Sequence, residues 1–498
     1  MKFIIKLFPE IIIKSKTVRQ MMTKVLQRNI HNVLSRHDIF VKIRIDWDKL
    51  IVNTVDEENS PNLTRDEIIS FMVNIPGIHT ILEVEEFSYS SIPEIYEYVA
   101  KFYGDEIKDK TFCVRVKRKG NQDFKSLDVE KYVGGGLNQN FPSKGVKLKN
   151  PDLTINLEID NDKLFLVIGK YVGLGGYPLS TQSDVISLIS GGFDSGVSTY
   201  QFIKRGCRVH YLFFNMGGTA HEVGVKEESY YLWDKYASSH KVRFISVPFE
   251  EMVGEILTKT DHSVRGVILK RMMMRVASKI AQKMGVSALV TGESVGQVSS
   301  QTLINLSVID KASETLILRP LIVTDKQDII DASRKIGTIH FAESMPEYCG
   351  IISDRPTVKA DENYVLEQEA LMDPTLVDKI AEDSKSVDIR DVLEDTKKSI
   401  EDVEVATFAK SNEVVVDIRA QDEIDKHPLE TDKPHLEIPF FKISSTFASL
   451  DQRKTYLLYC DQGVMSKMQA MHIRELGFLN VKIYRPLPKG SGGCQKEE

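Results

Sequence analysis

Hydrophobic and polar residues change their spacing several times along the chain, and each spacing predicts a different element. Residues 2–7 alternate as in a half-buried strand, whereas apolar residues over 17–36 recur at helical spacing, which predicts an amphipathic helix. Strand-like segments follow at 39–45 and 49–55, and a helix is expected to begin near Thr64. The start of the chain therefore predicts a small α+β unit.

A second unit is predicted over residues 111–173. It opens with a strand in "TFCVRVKRKG", and a loop is expected at Gly134–Gly136, because glycine weakens both helices and strands. Alternation in "TINLEID" and in "KLFLVIG", on either side of Asn161 and Asp162, predicts a β-hairpin. This unit is therefore also α+β.

From Asp184 the pattern becomes strand, glycine turn and helix, and it repeats. The strand-like segments are "VISLIS", "RVHYLFFN", "VRFISV" and "SALVTG", and helices are predicted at 195–205, 221–239 and 267–284. This alternation predicts a doubly wound parallel sheet with helices on both faces. A mainly helical segment at 361–404 leads to a last α/β unit, in which "EVVVDIR" and "TYLLYC" are buried strands.

Composition narrows the class of protein. At 498 residues the chain is too long for one hydrophobic core and predicts several domains. The 5 cysteines are an odd number without metal-ligand spacing, which argues against a secreted disulfide framework and predicts a cytoplasmic location. No apolar run is long enough to span a bilayer, and "MKFIIKLFPEIIIKSK" is broken by charges and a proline. We therefore expect neither a membrane segment nor a signal peptide.

Charge is distributed unevenly, although the net charge is only −6. Residues 1–49 hold 11 Lys and Arg against 4 Asp and Glu, and residues 101–149 hold 12 against 6. Residues 361–404 reverse the balance, with 15 acids against 5 bases. A basic N-terminal half on an acidic chain fits a polyanionic partner, and a solvated charged surface explains the same counts equally well.

The segment Ser190–Ser195, "SGGFDS", lies between a predicted strand and the start of a predicted helix. Backbone N–H groups and the helix dipole favour an anion at such a position. A Walker loop would add a lysine for the terminal phosphates, whereas this loop contains the acid Asp194. The segment resembles the PP-loop of the ATP pyrophosphatase superfamily, which holds pyrophosphate while ATP is split between its α- and β-phosphates. A plain glycine turn is the alternative.

A second loop places a cysteine where a helix begins. Cys460 closes the strand "TYLLYC", and Gly463 and Ser466 follow as the helix opens. This loop resembles the rhodanese active-site loop, and Asp417 with Arg419 matches the Asp-x-Arg earlier in that fold. N–H groups at a helix N-terminus stabilise a thiolate or persulfide anion, which makes Cys460 a candidate sulfur carrier. A small buried packing residue is the alternative.

The order of these units indicates a family. The stretch from "FCVRVKRKG" to "GKYVGLGGYPL" resembles a THUMP domain, an RNA-binding module, and a ferredoxin-like unit precedes it. THUMP, PP-loop and rhodanese units in this order, with "MPEYCG" carrying Cys349, resemble tRNA uridine 4-sulfurtransferases with a fused rhodanese domain. The resemblance implies a multidomain α+β and α/β protein with these parts: ferredoxin-like domain 1–75, THUMP domain 76–175, PP-loop ATP pyrophosphatase domain 176–360, acidic helical linker 361–404, rhodanese-like domain 405–486 and disordered tail 487–498.

The resemblance also implies a reaction and partners. The C4 oxygen of uridine-8 in tRNA would be adenylated by ATP, with Mg²⁺, near Asp194 and then replaced by sulfur to give 4-thiouridine. A cysteine desulfurase would pass a persulfide to Cys460, and Cys349 would attack that persulfide or close a disulfide with Cys460. The protein would also deliver sulfur to the sulfur-carrier protein of thiamine thiazole synthesis. Spacing alone leaves an inert loop cysteine as the alternative for Cys349.

Binding residues follow from the same resemblance. ATP would contact residues from three parts of the PP-loop domain, which are Leu188, Ile189, Ser190, Gly191, Gly192, Ser195, Lys270, Gly292 and Gln301. Basic residues of the THUMP strand would neutralise tRNA phosphates, and they are Arg115, Lys117, Arg118 and Lys119. Strand alternation divides these four between two faces. Lys270 can instead be a surface helix lysine, and Lys326 is a weaker candidate for phosphate or tRNA.

Two other functions stay open on the sequence. Another PP-loop adenylating ligase would use the same loop but would leave the RNA-binding half and Cys460 without a task. A tRNA-binding persulfide carrier that does not thiolate tRNA would leave "SGGFDS" without a task.

Overall fold

The computed structural model describes residues 1–55, 64–216, 218–345, 356–394, 403–419, 424, 428–429, 431, 435–438, 442–443, 446–460 and 464–486. The chain forms two compact units, Met1–Thr181 with Lys204–Gly206, and Gln182–Ile203 with Cys207–Glu498. In the described part of the chain, no helix combines the length and the apolar character that crossing a membrane requires.

The N-terminal unit is built on one seven-stranded sheet. Its strands are β1 Lys2–Leu7, β2 Val41–Ile45, β3 Lys49–Thr54, β4 Ile78–Ser88, β5 Phe112–Lys119, β6 Leu153–Asp160 and β7 Lys163–Val172. The order is β2-β3-β1-β4-β7-β6-β5, and every pair is antiparallel except β5 with β6. Strand β4 pairs with β1 on one side and with β7 on the other, so the two predicted α+β units share one sheet.

Helices cover one face of this sheet in two groups. They are α1 Pro9–Ile12, α2 Lys16–Ser35, α3 Arg65–Val73, α4 Ile92–Tyr103 and α5 Ser126–Asn140. Apolar residues of α2 and α3 form one core with β1 and β3, and those of α4 and α5 form a second core with β5, β6 and β7. The strands' alternate residues, including Ile4, Leu82 and Phe165, form a separate apolar cluster on the other face.

The loop predicted at Gly134–Gly136 is wrong, because these glycines lie inside α5. A Cβ at Gly136 would lie 2.6 Å from the ring of Tyr96 on α4, so glycine allows the two helices to pack closely. Tertiary packing here overrides the low helix propensity of glycine.

The second unit contains the predicted doubly wound sheet. Its strands are β8 Val185–Leu188, β9 Val209–Asn215, β10 Arg243–Pro248, β11 Ala288–Val290, β12 Leu316–Leu318 and β13 Lys385–Asp388. Its helices are α6 Phe193–Lys204, α7 Gly218–Tyr236, α8 Glu250–Lys259, α9 Arg265–Met284, α10 Leu303–Asp310, α11 Lys326–Ile336, α12 Ile339–Ser344, α13 Glu362–Glu369 and α14 Leu376–Glu382. The order is β12-β11-β8-β9-β10-β13, and all pairs are parallel except β10 with β13. The predicted fold class is confirmed.

The sequence assigns residues 361–404 to a linker, but the first part of this segment is folded onto the six-stranded sheet. Helices α13 and α14 pack on α9, and β13 extends the sheet beside β10. Arg271 of α9 and Glu369 of α13 form a buried ion pair with an Nε–Oε1 distance of 2.5 Å. Acids in this segment thus have basic partners on α9, which is why an acidic composition does not mark a free linker. The other domain boundaries stay predictions.

The C-terminal part of this unit has a sheet of its own. Its elements are β14 Val405–Ala406, β15 Glu413–Asp417, β16 His435–Glu437, β17 Thr455–Tyr459, α15 Val464–Glu475 and β18 Val481–Tyr484. The strand order is β14-β18-β17-β15-β16, and every pair is parallel. This is the α/β architecture predicted for the end of the chain.

Candidate functional site

The carboxyl ends of β8 and β11 form a crevice in the six-stranded sheet. After β8 the chain builds the sheet outward through β9 and β10, and it then returns to the other side of β8 with β11. Ligands of doubly wound sheets bind where the strand order reverses in this way. "SGGFDS" follows β8 and the segment 292–301 follows β11, so the fold brings two of the predicted groups together.

Ser195 organises the loop after β8. Its hydroxyl accepts hydrogen bonds from the backbone N–H and the Oγ of Ser190, both at 3.2 Å, and donates to the Gly192 carbonyl at 3.0 Å. Gly191 has a φ of +86°, and a Cβ there would lie 2.7 Å from the side chain of Met345. Only glycine fits this position without strain. The loop runs into α6, whose first N–H groups lack acceptors within the helix and can bind an anion.

Leu188 and Ile189 lie at the end of β8. Leu188 is half-buried and packs against the main apolar cluster, while Ile189 is buried and its N–H donates to the Leu212 carbonyl at 2.9 Å. On the other side of the crevice, the Gln301 Oε1 is buried and has no hydrogen-bond partner among the described residues. A buried polar atom without a partner is one that a ligand can satisfy.

Helix α7 also contacts the loop. The Nε2–H of His221 donates to the Ser190 carbonyl at 2.9 Å. Burial lowers the pKa of His221, and the hydrogen bond to Ser190 opposes this only in part. The ring is therefore neutral at pH 7. Sequence reasoning missed His221, although its place just after β9, the neighbour of β8, was a usable signal.

Asp194 lies in the first turn of α6, and two other segments bind its carboxylate. The Lys326 Nζ, at the start of α11, lies 2.8 Å from Asp194 Oδ2, and Gln297 Nε2 donates to the same oxygen at 3.1 Å. The Lys326 ammonium also lies 5.4 Å from the centre of the Phe193 ring. The loop that lacks a lysine in sequence therefore has one beside it in space.

Gly292 allows the segment after β11 to approach the start of α6. A Cβ at Gly292 would lie 2.6 Å from the carbonyl carbon of Asp194 and 2.8 Å from the nitrogen of Ser195. Any other residue would push the two strands' loops apart. The predicted nucleotide contact of Gly292 stays a prediction, and close packing is the role visible in its surroundings.

Glu293, the next residue, is a buried carboxylate that sequence reasoning missed. Lys270 Nζ lies 2.6 Å from Glu293 Oε1, and Arg319 Nε lies 2.8 Å from Oε2. Burial alone would raise the pKa of Glu293, but the charges of Lys270 and Arg319 outweigh it and lower the pKa to about 2. Lys270 is therefore a part-buried partner of this acid beside the crevice and not a surface helix lysine.

A second buried acid lies behind α6. Glu228 of α7 is fully buried, and neither of its carboxyl oxygens has a hydrogen-bond partner among the described residues. Burial raises the pKa of Glu228 to about 8, so the group is uncharged at neutral pH. A Cβ at Gly196 of α6 would collide with this carboxyl group. Glu228 therefore packs directly against the helix that begins at the loop.

Cys460 follows β17 in the C-terminal sheet and is 2% exposed. Its Sγ accepts a hydrogen bond from the Ser466 N–H at 3.2 Å, and the Ser466 Oγ lies 3.5 Å away. On the neighbouring strand, Asp417 and Arg419 form a fully buried bidentate pair with distances of 2.9 and 2.6 Å. The Arg419 guanidinium lies 5.1 Å from the ring centre of Tyr459, the residue before Cys460. The predicted Asp-x-Arg thus supports the strand end that carries the cysteine.

Cys349 and Gly463 lie outside the described residues. The described chain reaches Met345, 4 positions before Cys349, and the Met345 side chain covers Gly191 of the loop. Helix α12, which leads to this segment, contacts α15, the helix that begins beyond Cys460.

The predicted RNA-binding residues lie on β5, an edge strand of the N-terminal sheet. Val114 and Val116 face the core, while Arg115 and Lys117 are exposed on the opposite face. Arg118 and Lys119 are exposed at the strand end. All four side chains reach solvent, and their predicted division between two faces stays a prediction.

Local partners distinguish the four basic residues. Arg115 donates to the Leu148 carbonyl at 2.8 Å, and Arg118 donates to the Gly120 carbonyl at 3.0 Å. The Lys119 Nζ lies 3.6 Å from an Asp46 carboxylate oxygen. Lys117 pairs with no residue in the described parts of the chain, so its charge is the most available.

Two family models match the chain. "Thiamine biosynthesis protein (ThiI)" matches residues 180–373, and the THUMP domain matches residues 89–168. The first match covers most of the six-stranded sheet and the crevice, and the second covers the half of the N-terminal unit that contains β5.

Full-length relatives are close in sequence. The tRNA sulfurtransferase of Tolumonas auensis is 58% identical over 97% of this chain and 100% of that protein. The tRNA sulfurtransferase of Shewanella sediminis is 55% identical over 98% of this chain and 100% of that protein.

Solved structures share the fold. A 4-thiouridine synthetase in complex with RNA and bound ATP has a TM-score of 0.68 and 24% identity, covering 78% of this chain and 99% of that chain. The PH1313 protein of Pyrococcus horikoshii has a TM-score of 0.52 and 21% identity, covering 68% of this chain and 100% of that chain. Because identities above half extend over nearly the whole of both proteins, the chain belongs to the tRNA sulfurtransferase family.

Proposed function

We propose that this protein adenylates the C4 oxygen of uridine-8 in tRNA with ATP and replaces that oxygen with persulfide sulfur, giving 4-thiouridine. The observation that carries the proposal is the crevice, where the PP-loop, the start of α6 and a lysine from α11 converge. The uridine oxygen attacks the α-phosphate, pyrophosphate leaves, and AMP later departs with that oxygen. The family names support the sulfur transfer, and the uridine position rests on the resemblance.

The loop residues suit the release of pyrophosphate. The first N–H groups of α6 and the hydroxyls of Ser190 and Ser195 offer donors to phosphate oxygens. Lys326 supplies the positive charge that a Walker lysine would supply, and Asp194 holds its ammonium in place at 2.8 Å. The Gln301 oxygen, buried without a described partner, is a candidate acceptor for an amino group of the adenine or a hydroxyl of the ribose.

Magnesium fits this site as a companion of the phosphates. No group of three or more His, Cys, Asp and Glu in the described chain could hold a metal ion by itself. Nucleotide-bound Mg²⁺ takes only one or two carboxylates from the protein, and Asp194 offers one at the start of α6. Bound there, the ion would neutralise phosphate charge.

We assign sulfur transfer to Cys460 and Cys349. Cys460 accepts the terminal sulfur from a cysteine desulfurase, and the Ser466 N–H at 3.2 Å stabilises negative charge on the Sγ. The persulfide sulfur attacks C4 and displaces AMP, and the Cys349 thiolate then attacks the Cys460 sulfur. The 4-thiouridine thiolate leaves, a Cys349–Cys460 disulfide remains, and a cellular dithiol reductant reopens it. Cys349 alternatively takes the sulfur from Cys460 before the attack on C4.

The tRNA is bound through the N-terminal unit, where β5 presents Lys117 and its basic neighbours. A second output is sulfur for the thiamine thiazole, delivered from Cys460 to a sulfur-carrier protein. The description of the matching family as a thiamine biosynthesis protein supports this output. We expect these reactions in the cytoplasm, where thiols stay reduced.

The test is a complete reaction with the full-length protein, ATP, Mg²⁺, cysteine, a desulfurase and unmodified tRNA. We expect near-ultraviolet absorbance of 4-thiouridine on the tRNA, one AMP and one pyrophosphate per thiolation, and no product without ATP. A persulfide on Cys460 without tRNA thiolation would indicate a carrier instead. AMP release that depends on another acceptor, without thiolation, would indicate a different PP-loop ligase.

A further inference from the structure

Helix α7 contacts two parts of the second unit that the proposed reaction must bring together. Near its start, His221 binds the Ser190 carbonyl of the PP-loop at 2.9 Å. Further along, α7 packs against α15, the helix that begins beyond Cys460. One helix therefore connects the adenylation loop to the sulfur-carrying part of the chain.

The contact between α7 and α15 has a charged component. Lys467 Nζ lies 2.6 Å from Glu227 Oε1, and the side chains are only 18% and 12% exposed. Burial raises the pKa of Glu227, and the charge of Lys467 opposes this. When the two helices separate, the Glu227 carboxylate loses its ion pair with Lys467, so this pair is specific to the packed state.

The contact also has an apolar component. Val223 of α7 is 1% exposed and belongs to the apolar cluster of the C-terminal sheet, together with Val416, Phe447 and Cys460. A residue of the PP-loop half therefore completes a core that is otherwise built from the C-terminal sheet. Helix α12, which leads toward Cys349, contacts α15 as well.

Neighbouring residues connect this contact to the sulfur site. Lys467 directly follows Ser466, whose N–H donates to the Cys460 Sγ. The ion pair therefore lies next in sequence to the residue whose N–H supports the cysteine. Cys460 is 2% exposed in this arrangement, and a protein donor must contact the sulfur directly to load it.

We propose that Val223 and Glu227 on α7 form a docking surface for the C-terminal α/β sheet, occupied when sulfur is delivered to adenylated tRNA and vacated when Cys460 is loaded. The proposal rests on the proposed function for the role of Cys460. Docking holds Cys460 at a fixed position relative to the PP-loop, and release exposes its Sγ to the desulfurase. Thiazole sulfur supply uses the released state and does not need the dock.

The experiment reverses the charges of the ion pair in the full-length protein. E227K and K467E each place two like charges at the contact, and we expect tRNA thiolation to fall about tenfold or more. Loading of Cys460, measured by mass spectrometry after incubation with desulfurase and cysteine, is expected to stay equal or become faster. The double variant E227K/K467E recreates the pair with reversed polarity and is expected to recover most thiolation.

Controls separate docking from folding and from the proposed function. K454E makes the same charge change as K467E at an exposed site just before β17 and should leave both activities unchanged. Hydrogen exchange of α7 in E227K should be faster than in the wild type, while β8 and β9 stay protected. Unchanged tRNA thiolation in E227K and K467E would overturn the proposed docking surface. A loss of sulfur loading on Cys460 that the double variant does not rescue would overturn it as well. A wild-type protein that loads Cys460 but never thiolates tRNA would instead overturn the proposed function.

Discussion

Lys326 and Asp194 are 132 positions apart in sequence, yet the Lys326 Nζ lies 2.8 Å from the Asp194 carboxylate at the start of α6. A PP-loop has no lysine of its own, and here α11 provides one at the same place. The carboxylate orients the ammonium, and Gln297 binds the same carboxylate from the segment after β11. This ion pair with its amide partner is thus assembled from three segments that follow different strands.

We predict that Lys326→Ala lowers tRNA thiolation by about 100-fold or more, because charge on the departing pyrophosphate would lose its fixed cation. Asp194→Asn, which keeps the shape but removes the charge, should also reduce AMP release. Both variants should still acquire a persulfide on Cys460, measured by mass spectrometry. Lys335→Ala, an exposed lysine on the same helix, is the matched control. Normal AMP release in Lys326→Ala would mean that this lysine takes no part in adenylation.

The sequence predicts the strand, loop and helix around "SGGFDS" because each is a local pattern. Local patterns do not show which distant residues meet there; the resemblance names Gly292 and Gln301 and, more weakly, Lys326, but neither His221 nor Glu293. Lys326, His221 and Glu293 each follow the carboxyl end of a parallel strand, but their contacts depend on strand order, which local spacing does not encode. The loop predicted at Gly134–Gly136 is wrong for a related reason. The close packing of Gly136 against Tyr96 on α4 keeps this segment helical, and local spacing does not encode that contact. Parallel strands and hairpins are therefore predictable, and long-range charge pairs are not.

The pH dependence of stability offers a test of Glu228. Its folded-state pKa of about 8 lies above its ordinary value of 4.5, so the unfolded chain releases this proton at lower pH than the folded chain. Glu228 therefore lowers the free energy of unfolding progressively from pH 4.5 to 8, by roughly 1.4 kcal/mol per pH unit at most. Glu228→Gln should remove this slope. The difference in free energy of unfolding between variant and wild type should therefore shift in favour of the variant from pH 5 to pH 8.

Fluorescence can isolate this effect. The chain has 2 tryptophans, and Trp233 is buried on α7, the helix that carries Glu228, so a Trp47→Phe background makes Trp233 the reporter of urea unfolding. His210 and His221 contribute the opposite slope, because burial lowers their pKa values, so only the difference between variant and background is diagnostic. Equal slopes for the two proteins would mean that Glu228 is ionised in the folded state.

The Glu293 cluster predicts that the second unit loses stability at acid pH. The pKa of Glu293 is held at about 2 by Lys270 and Arg319, so its contribution to stability is present above pH 4.5 and is lost as the pH falls through 2. That contribution is about 3 kcal/mol. Glu293→Gln leaves two cations without their buried partner, and calorimetry at pH 7 should show a lower melting temperature than Glu314→Gln, an exposed control. Equal melting temperatures would mean that the ion pair between Lys270 and Glu293 does not stabilise the fold. Lys270 could then bind a nucleotide instead without a loss of stability.

Lys117 is predicted to contact tRNA phosphate, because its charge has no described partner while Arg115 and Arg118 are bound locally. Lys117→Ala should reduce the slope of log affinity against log salt concentration by about 1. Lys101→Ala, an exposed lysine of α4, should leave the slope unchanged. Filter binding of full-length protein to tRNA at several salt concentrations provides the measurement. An unchanged slope for Lys117→Ala would mean that Lys117 is a solvated surface residue and does not contact tRNA phosphate.

The two cysteines are predicted to separate the two sulfur outputs. Cys460 is needed wherever sulfur is carried, because its Sγ accepts the Ser466 N–H at 3.2 Å, beside a strand end supported by Asp417 and Arg419. Cys349 belongs to the segment that follows Met345 at the PP-loop, so it should act only where adenylated tRNA is consumed. We therefore expect Cys460→Ala to lose both 4-thiouridine and thiazole sulfur supply, and Cys349→Ala to lose 4-thiouridine alone.

Mass spectrometry and growth tests check this division. After incubation with desulfurase and cysteine, one extra sulfur should appear on the Cys460 peptide of the wild type and of Cys349→Ala. Cells that carry Cys349→Ala should grow without thiamine while their tRNA lacks near-ultraviolet absorbance. Cys113→Ala is the control, since Cys113 is buried in β5 and should affect neither output. An extra sulfur on Cys349 in a fully active Cys460→Ala protein would reverse the direction of the relay, because the sulfur would then enter at Cys349 rather than at Cys460.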